Sequence, residues 1–414
     1  MYLNFLEEKM LAGEQGEAVA FAMRILIKLG DLYEAERFIP ISGAHIDGCC
    51  YQTAGDAGLD FAEKLAGMSA QVIVPTTTNV SGRDIRRWID FRQPKWLAEK
   101  SEAMERAYTS IGAIPTWTCA PYLTGISPGF GEQVVWAESN AIAYGNSAVG
   151  LRTHRYGDFV DACAAITGRT PEFGLHLVEN RLGDLLFRLS GFSIESLRDT
   201  ATYALLGYYL GRESQGSIPV IDGIPAPVSP DCLKALSAAG AASGSLALFH
   251  IPGVTPEVST VEQAFGRKMI PDARIIRPKD LEAIRMEIST SKDEKVDLVC
   301  LGCPHFSFQE AMLFLDALNG RRISEHVECF IFTNRNIQEA LDQTGITGAL
   351  KELGVRIATD TCILHWILDD WNFSVMATNS GKFAHYAPST IGMDTLFGSL
   401  KDCANAAVTG KMPL

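Results

Sequence analysis

Val296-Asp297-Leu298-Val299-Cys300-Leu301-Gly302-Cys303-Pro304-His305 is the stretch from which the fold is read. Its first half is apolar except for Asp297 and lies between charge and glycine, the pattern of a strand buried on both faces of a parallel sheet. The second half is that strand's exit loop, and Ser307 then opens a helical pattern over 308–318. Ligands of open α/β sheets bind at the carboxyl ends of the strands, so Cys303 stands where chemistry is expected. The arrangement recurs twice. Residues 354–360 read as a strand that delivers Thr361 and Cys362, and 113–118 read as one that leads to Cys119 before Pro121 stops it. Any apolar strand can end in a small buried cysteine, but three in one local context are harder to dismiss.

Outward from this stretch, strand signals at 246–251, 273–276 and 327–332 alternate with helix signals beginning at Pro230, Val261, Pro278 and Ile337. That βαβ succession predicts a parallel α/β sheet in the second half. The four prolines of 216–230 read as a connector. We therefore expect an N-terminal α/β region over 1–215 and a C-terminal α/β region over 216–414 that carries the Cys303 and Cys362 loops. A chain of 414 residues has room for two or three domains. No Gly-rich phosphate loop is present.

Composition narrows the partners. A net charge of -13 argues against a nucleic acid or an anionic membrane as the main partner, so an anionic substrate needs a local cation. The first ten residues hold two glutamates and no basic n-region, and no run approaches the ~18 apolar residues of a membrane helix. A cytoplasmic protein is expected. Its ten cysteines are too scattered for a disulfide scaffold. Cys300 and Cys303 form the only Cys-x-x-Cys pair, and Cys300, inside the strand, reads as core.

In the first half, residues 13–29 read as an amphipathic helix closed by Gly30, with a short helix over 32–37. An apolar run then enters a loop presenting His45 and Asp47. A strand at 71–75 exits into Thr76-Thr77-Thr78-Asn79, a row of hydrogen-bonding groups. After Ser127-Pro128-Gly129-Phe130-Gly131, residues 132–149 read as a tightly packed buried helix, unusually polar at Glu138, Ser139, Asn140, Asn146 and Ser147. Such groups must be hydrogen-bonded, either capping neighbouring loops or facing a cavity. Arg152-Thr153-His154-Arg155 is the densest cationic cluster nearby. A helical pattern over 191–214 carries a seam of Gly207, Tyr208 and Tyr209. Near the C-terminus a strand ends at Ala377, and the loop after it offers Asn379, Ser380, Lys382, His385 and Tyr386, more chemistry than a plain turn needs.

Taken together, Thr-Trp-Thr-Cys-Ala-Pro-Tyr (116–122), Trp-Ala-Glu-Ser-Asn-Ala (136–141) with Gly-Asn-Ser (145–147), Thr-Pro-Glu-Phe-Gly-Leu-His-Leu (170–177), Gly-Cys-Pro-His (302–305), Thr-Asp-Thr-Cys (359–362) and Thr-Asn-Ser-Gly-Lys-Phe-Ala-His-Tyr (378–386) resemble the large, catalytic subunit of aconitase X. The resemblance covers nearly the whole chain. It implies an aconitase-like fold of several packed α/β units with parallel sheets around a central iron site. Cys119, Cys303 and Cys362 would hold an iron–sulfur cluster or a single iron. It also implies a hydro-lyase that dehydrates cis-3-hydroxy-L-proline, as in bacteria, or mevalonate 5-phosphate, as in archaea. Substrate contacts are expected from Asp47, Thr77, Asn79, Glu138, Asn140, Asn146, Arg152, Lys382 and Tyr386. The chain's own candidates for a base are His45, His305 and Ser380. The family's base is thought to be a serine on a swivelling domain, for which this chain has no room, so a small partner subunit is expected. Two places depart from the family: Asp47, and the bulky aromatic segment 363–371 after Cys362. An iron or iron–sulfur sensor without turnover is the competing reading, and it requires the cysteines but no substrate-sized cavity.

Overall fold

The computed structural model describes residues 1–126 and 128–413, so Ser127 of the expected loop lies outside the described residues. Strands β1 (Phe38–Pro40) and β5 (Arg169–Pro171) pair antiparallel. A parallel sheet joins β2 (Gly43–Ile46), β3 (Thr76–Thr78) and β4 (Val134–Trp136) in the order β3-β2-β4. A second holds β6 (Leu185–Leu189), β7 (Pro219–Asp222) and β8 (Arg274–Ile276) in the order β7-β6-β8. The largest contains β9 (Leu298–Leu301), β10 (Glu328–Thr333), β11 (Arg356–Thr359), β12 (Val375–Thr378) and β13 (Asp394–Phe397), all parallel, in the order β11-β10-β9-β12-β13. Among the described residues no helix is long and apolar enough to cross a membrane.

The order of the five-stranded sheet explains where its loops go. From β9 the chain steps outward through β10 to β11, then returns to the other side of β9 as β12. The crevice between the carboxyl ends of β9 and β12 is therefore a topological switch point. Cys303 follows β9, Cys362 follows β11, and Ser380 follows β12 as the N-cap of helix Gly381–Thr390. β9 is buried throughout, with Cys300 in its core. Gly302 turns the chain at φ 99°, and a Cβ there would lie 2.1 Å from the Phe332 carbonyl oxygen. Only glycine lets β9 turn this close to β10 and present Cys303.

Several local expectations are corrected. The threonines are not an exit loop but β3 itself, because β-branched residues pair well on a pleated surface. The run at 71–74 before them is not strand. The stretch 132–149 is not one helix: Val134–Trp136 pairs with β2, and only Ser139–Tyr144 is α-helical, followed by a π turn at Gly145–Val149. Residues 113–118 and 246–251 run beside their neighbours through single bridges, Ile114 to Thr77 and His250 to Val220, without forming strands. The first long helix is Glu17–Leu32 and passes through Gly30, which is packed beneath Met1 and Pro171. The middle sheet takes strands from both sides of residue 216, so the boundary expected there falls inside that sheet.

The Gly207 seam lies within helix Thr200–Ser214, which packs directly on Pro230–Gly244. A Cβ at Gly207 would come within 2.2 Å of the Leu236 carbonyl oxygen. Backbone cannot yield as a side chain does, so Gly207→Ala is expected to destabilise the chain by about 1–3 kcal/mol or more through overpacking. Chemical denaturation of the variant measures this, and an unchanged midpoint would contradict the close crossing.

Candidate active site

Carboxyl ends from the β2 sheet and the five-stranded sheet line one cavity of about 300 Å³. Asp47 arrives at the end of β2, Asn79 at the end of β3, and Glu138 just after β4 as the N-cap of helix Ser139–Tyr144. Cys119 is carried by a segment tied along β3, with Ile114 N–H donating to the Thr76 carbonyl and Thr118 N–H to the Thr78 carbonyl. Cys303, Cys362, Lys382 and Tyr386 come from the five-stranded sheet and its last crossover helix. All three cysteines therefore reach the same cavity, Cys303 and Cys362 after strands and Cys119 after the segment bridged to β3, and the Cys362 thiol hydrogen-bonds Cys303.

Charge in the cavity is unevenly distributed. Among the described residues Lys382 is its only lysine or arginine. Its Nζ contacts Glu138 Oε1 at 2.5 Å and Ser139 Oγ at 3.3 Å. Burial pushes the Glu138 carboxyl up, but the Lys382 ammonium and the Asn140 hydrogen bonds win and hold it down at about 2. Asn79 donates from Nδ2 to both Asp47 and Glu138. Burial, then the Glu138 charge, pushes the Asp47 carboxyl well above its ordinary range. Burial also raises Asp158, which hydrogen-bonds Asp47, and raises Asp161, which accepts from Asp47 N–H, to about 7. Burial likewise raises the Cys119 thiol. For Cys303 the burial effect is overcome by the Cys362 hydrogen bond, the Lys382 ammonium and the Ser380 hydroxyl, so its pKa is lowered.

Of the residues expected to contact substrate, Asp47, Asn79, Glu138, Lys382 and Tyr386 line this cavity. The others are used elsewhere. His45 is buried inside β2, pairing Nδ1 with Thr77 Oγ1 at 2.8 Å beside Trp136. Thr77 lines a separate cavity with Ser42 and Trp136. His305 donates from Nε2 to the Thr361 carbonyl at 3.0 Å and accepts at Nδ1 from Thr118 Oγ1 at 2.9 Å. This clamp ties the Cys119, Cys303 and Cys362 loops together and leaves no free basic nitrogen. Ser380 Oγ donates to the Cys303 carbonyl and accepts from Phe383 N–H. Asn140 supports the wall, donating to the Cys119 carbonyl at 2.9 Å and to Glu138 at 2.7 Å. Asn146 braces Thr153, Ala247 and Arg181, and Arg152 runs beside Gln133, so neither lines the cavity.

Sequence reasoning missed Asp158 and His365. Asp158 enters from a loop with no strand before it, and nothing in its neighbourhood signals a site. His365 did carry a signal, since it ends the single turn Ile363–His365 that leaves Cys362.

Three soft thiol donors on one cavity suit iron or an iron–sulfur cluster. Among the described residues no three His, Cys, Asp or Glu side chains are drawn together as a ready-made site for one metal ion. The sensor reading does not anticipate the cavity itself, which is large enough for a small substrate beside the thiols.

Three family models match in order: "Aconitase X first domain" at residues 1–179, "second domain" at 183–286 and "third domain" at 296–409. The "Cis-3-hydroxy-L-proline dehydratase" of Pseudomonas aeruginosa is 41% identical over 99% of this chain and 70% of its own length. The "Phosphomevalonate dehydratase large subunit" of Methanothermobacter thermautotrophicus is 38% identical over 96% of each chain. The crystal structure of Thermococcus kodakaraensis aconitase X in its holo-form aligns with a TM-score of 0.89 at 33% identity, covering 98% of this chain and 100% of that one. With the strand-end cavity built from these same domains, the chain belongs to the aconitase X family and is a hydro-lyase, a dehydratase of that type.

Proposed function

We propose that this dehydratase acts on cis-3-hydroxy-L-proline, with its cofactor on Cys119, Cys303 and Cys362 and its base supplied by a small partner subunit. The observation that carries the substrate assignment is the charge of the cavity. Among the described residues Lys382 is the one lysine or arginine in the lining and is paired with Glu138, while Asp47 and Asp158 add further carboxyls. Mevalonate 5-phosphate would bring a carboxylate and a phosphate into this enclosure with too few cations, and burying unpaired charge costs several kcal/mol. Cis-3-hydroxyproline brings one carboxylate and one ammonium. Lys382 suits the carboxylate, and the Asp47–Asp158 pair suits the ammonium. Departure from the family at Asp47 falls on the side of an amino-acid substrate.

Three thiol donors on a common cavity suit an iron–sulfur cluster. When bound, the cluster supplies a Lewis acid for the departing hydroxide. His305 and Ser380 hold the Cys303 loop in place, and Lys382 orients the carboxylate so that the neighbouring C–H is presented for removal. Neither His45 nor His305 lines the cavity, and each is held by a hydrogen bond to a threonine, so the base is assigned to the partner and not to them. A partner domain is supported by the relatives named as large subunits, one of them matched over 96% of its length. We also assign the protein to the cytoplasm, where the ten free cysteines would stay reduced.

The test is anaerobic assay of the iron- and sulfide-reconstituted chain on both substrates, with and without the candidate small subunit. The expected result is turnover of cis-3-hydroxyproline only with the partner, and a preference of at least about a hundredfold in kcat/KM over mevalonate 5-phosphate, the equivalent of ~2.7 kcal/mol. The reverse preference would overturn the substrate assignment. Full activity of the chain alone would return the base to this chain.

A further inference from the structure

We propose that His365 is a catalytic residue whose imidazole hydrogen-bonds the departing hydroxyl of the substrate. This rests on the reading above only in requiring that the cavity binds a hydroxy acid beside the three thiols.

The imidazoles of the site region differ in how they are used. His45 is bonded to Thr77, and His305 is bonded at both nitrogens. Outside the site, His176 pairs with Tyr156 and Gln133, His250 with the Arg181 carbonyl, and His385 with Tyr208. His365 lines the cavity, and among the described residues its ring has no hydrogen-bond partner. Its Nδ1 is enclosed and unpaired. An enclosed polar group without a partner costs about 1–3 kcal/mol, and the other ring nitrogen, Nε2, is neither enclosed nor hydrogen-bonded among the described residues, which leaves it to meet a ligand in the cavity.

Position decides which substrate group it serves. His365 N–H donates to the Cys362 carbonyl at 3.0 Å, so the turn Ile363–His365 folds the side chain's backbone onto the cysteine loop. Glu138 and Lys382 are both close enough to act electrostatically on the ring. His365 therefore shares one cavity with the thiols and the Lys382–Glu138 pair, on a turn tied to the Cys362 loop. In a substrate whose carboxylate is at Lys382, the group reaching toward the thiols is the hydroxyl that leaves. A hydrogen bond to that oxygen strengthens as negative charge develops on it, so it acts on the transition state more than on the bound ground state.

The experiment compares His365→Leu, His365→Gln and His365→Asn in the reconstituted enzyme with its partner, using whichever of the two substrates the wild type turns over faster. Iron per chain, the visible absorption spectrum, kcat and KM are measured together. The expected result is a loss of about a hundredfold or more in kcat per iron for His365→Leu, with KM changed less than about threefold. Glutamine or asparagine should restore about tenfold of that loss, because either can hydrogen-bond an oxygen. A purely structural ring predicts a different pattern: iron content and melting temperature move, kcat per iron does not, and leucine is tolerated at least as well as glutamine. That pattern, or a kcat per iron within about threefold of wild type in His365→Leu, overturns the proposal. Should the leucine variant not fold, a roughly tenfold lower kcat per iron in glutamine and asparagine supports it, and either wild-type kcat per iron in both or equal hundredfold losses in both overturns it. A wild-type preference for mevalonate 5-phosphate removes the proline assignment alone, since His365 is then tested on that hydroxyl.

Discussion

Cys303→Ser is expected to abolish dehydration, lowering kcat by about a thousandfold or more and emptying most of the iron from the purified protein. Serine is close in size and keeps a hydroxyl where the Cys362 thiol now bonds, so the loop should survive. What changes is the donor: a hard alkoxide precursor replaces a thiolate, and iron–sulfur sites are built on thiolates. Lewis-acid assistance to a leaving oxygen is worth several kcal/mol, and about 4 kcal/mol corresponds to the thousandfold figure. Cys300→Ser is the contrasting variant. Cys300 is fully buried in β9 among Phe330 and its neighbours, so serine there strands a hydroxyl in apolar surroundings at about 1–3 kcal/mol while leaving iron untouched. Iron analysis and kcat separate the two cysteines that stand three residues apart. Normal iron and turnover in Cys303→Ser would remove it from the cofactor site.

Four of the five strands of the large sheet were legible, led by β9, which is buried along its whole length and apolar throughout, whereas β13, Asp394-Thr395-Leu396-Phe397, carries too short a pattern and was not expected. The same rule that finds a strand also finds its exit, and that is why Cys303, Cys362 and Lys382 were recognised together. Around β2 the signal fails. β3 and β4 are only three residues long, β3 consists of threonines, and the helix after β4 has six residues, so no window holds enough periods for a pattern. Asn79 was marked by the exit of an expected strand, Asp47 by the loop after an apolar run, and Glu138 by its polarity within a segment that read as a buried helix.

Side-chain direction was the information missing from the sequence. His45, inside β2, and His305, two residues beyond Cys303, stand in suggestive places, but β-strand alternation and the clamp between loops turn both rings into hydrogen-bonding posts. Arg152 and Asn146 were chosen for nearness in sequence to the polar segment. The π turn at Gly145–Val149 carries both away from the cavity, toward Arg181 and Gln133. Asp158 reaches the cavity only through tertiary packing, which no local pattern encodes.

Lys382→Met is the second variant with a large expected effect, and it separates binding from folding. Methionine keeps most of the side chain's length and removes the charge. The buried Glu138 carboxylate, 7% exposed, then loses its cation. Breaking one partner out of a buried pair costs about 3–5 kcal/mol, so the variant should unfold at clearly lower denaturant. The pH dependence should change with it. In the wild type the Glu138 pKa lies near 2, below its ordinary 4.5. Its contribution to stability is therefore present above about pH 4.5 and is lost as pH falls toward 2. Without Lys382 that contribution disappears, and burial favours the protonated acid, so the variant should be relatively more stable at pH 4 than at pH 7. Adding Glu138→Gln should recover most of the stability by removing the stranded charge. It should not recover turnover, because the carboxylate of the substrate still lacks its ammonium. A charge-assisted hydrogen bond of about 1.5–3 kcal/mol corresponds to a roughly tenfold to hundredfold fall in kcat/KM in both the single and the double variant, with iron content unchanged since no thiol is touched. If the double variant regains both stability and full kcat/KM, Lys382 is only the counter-ion of Glu138 and the substrate carboxylate is bound elsewhere.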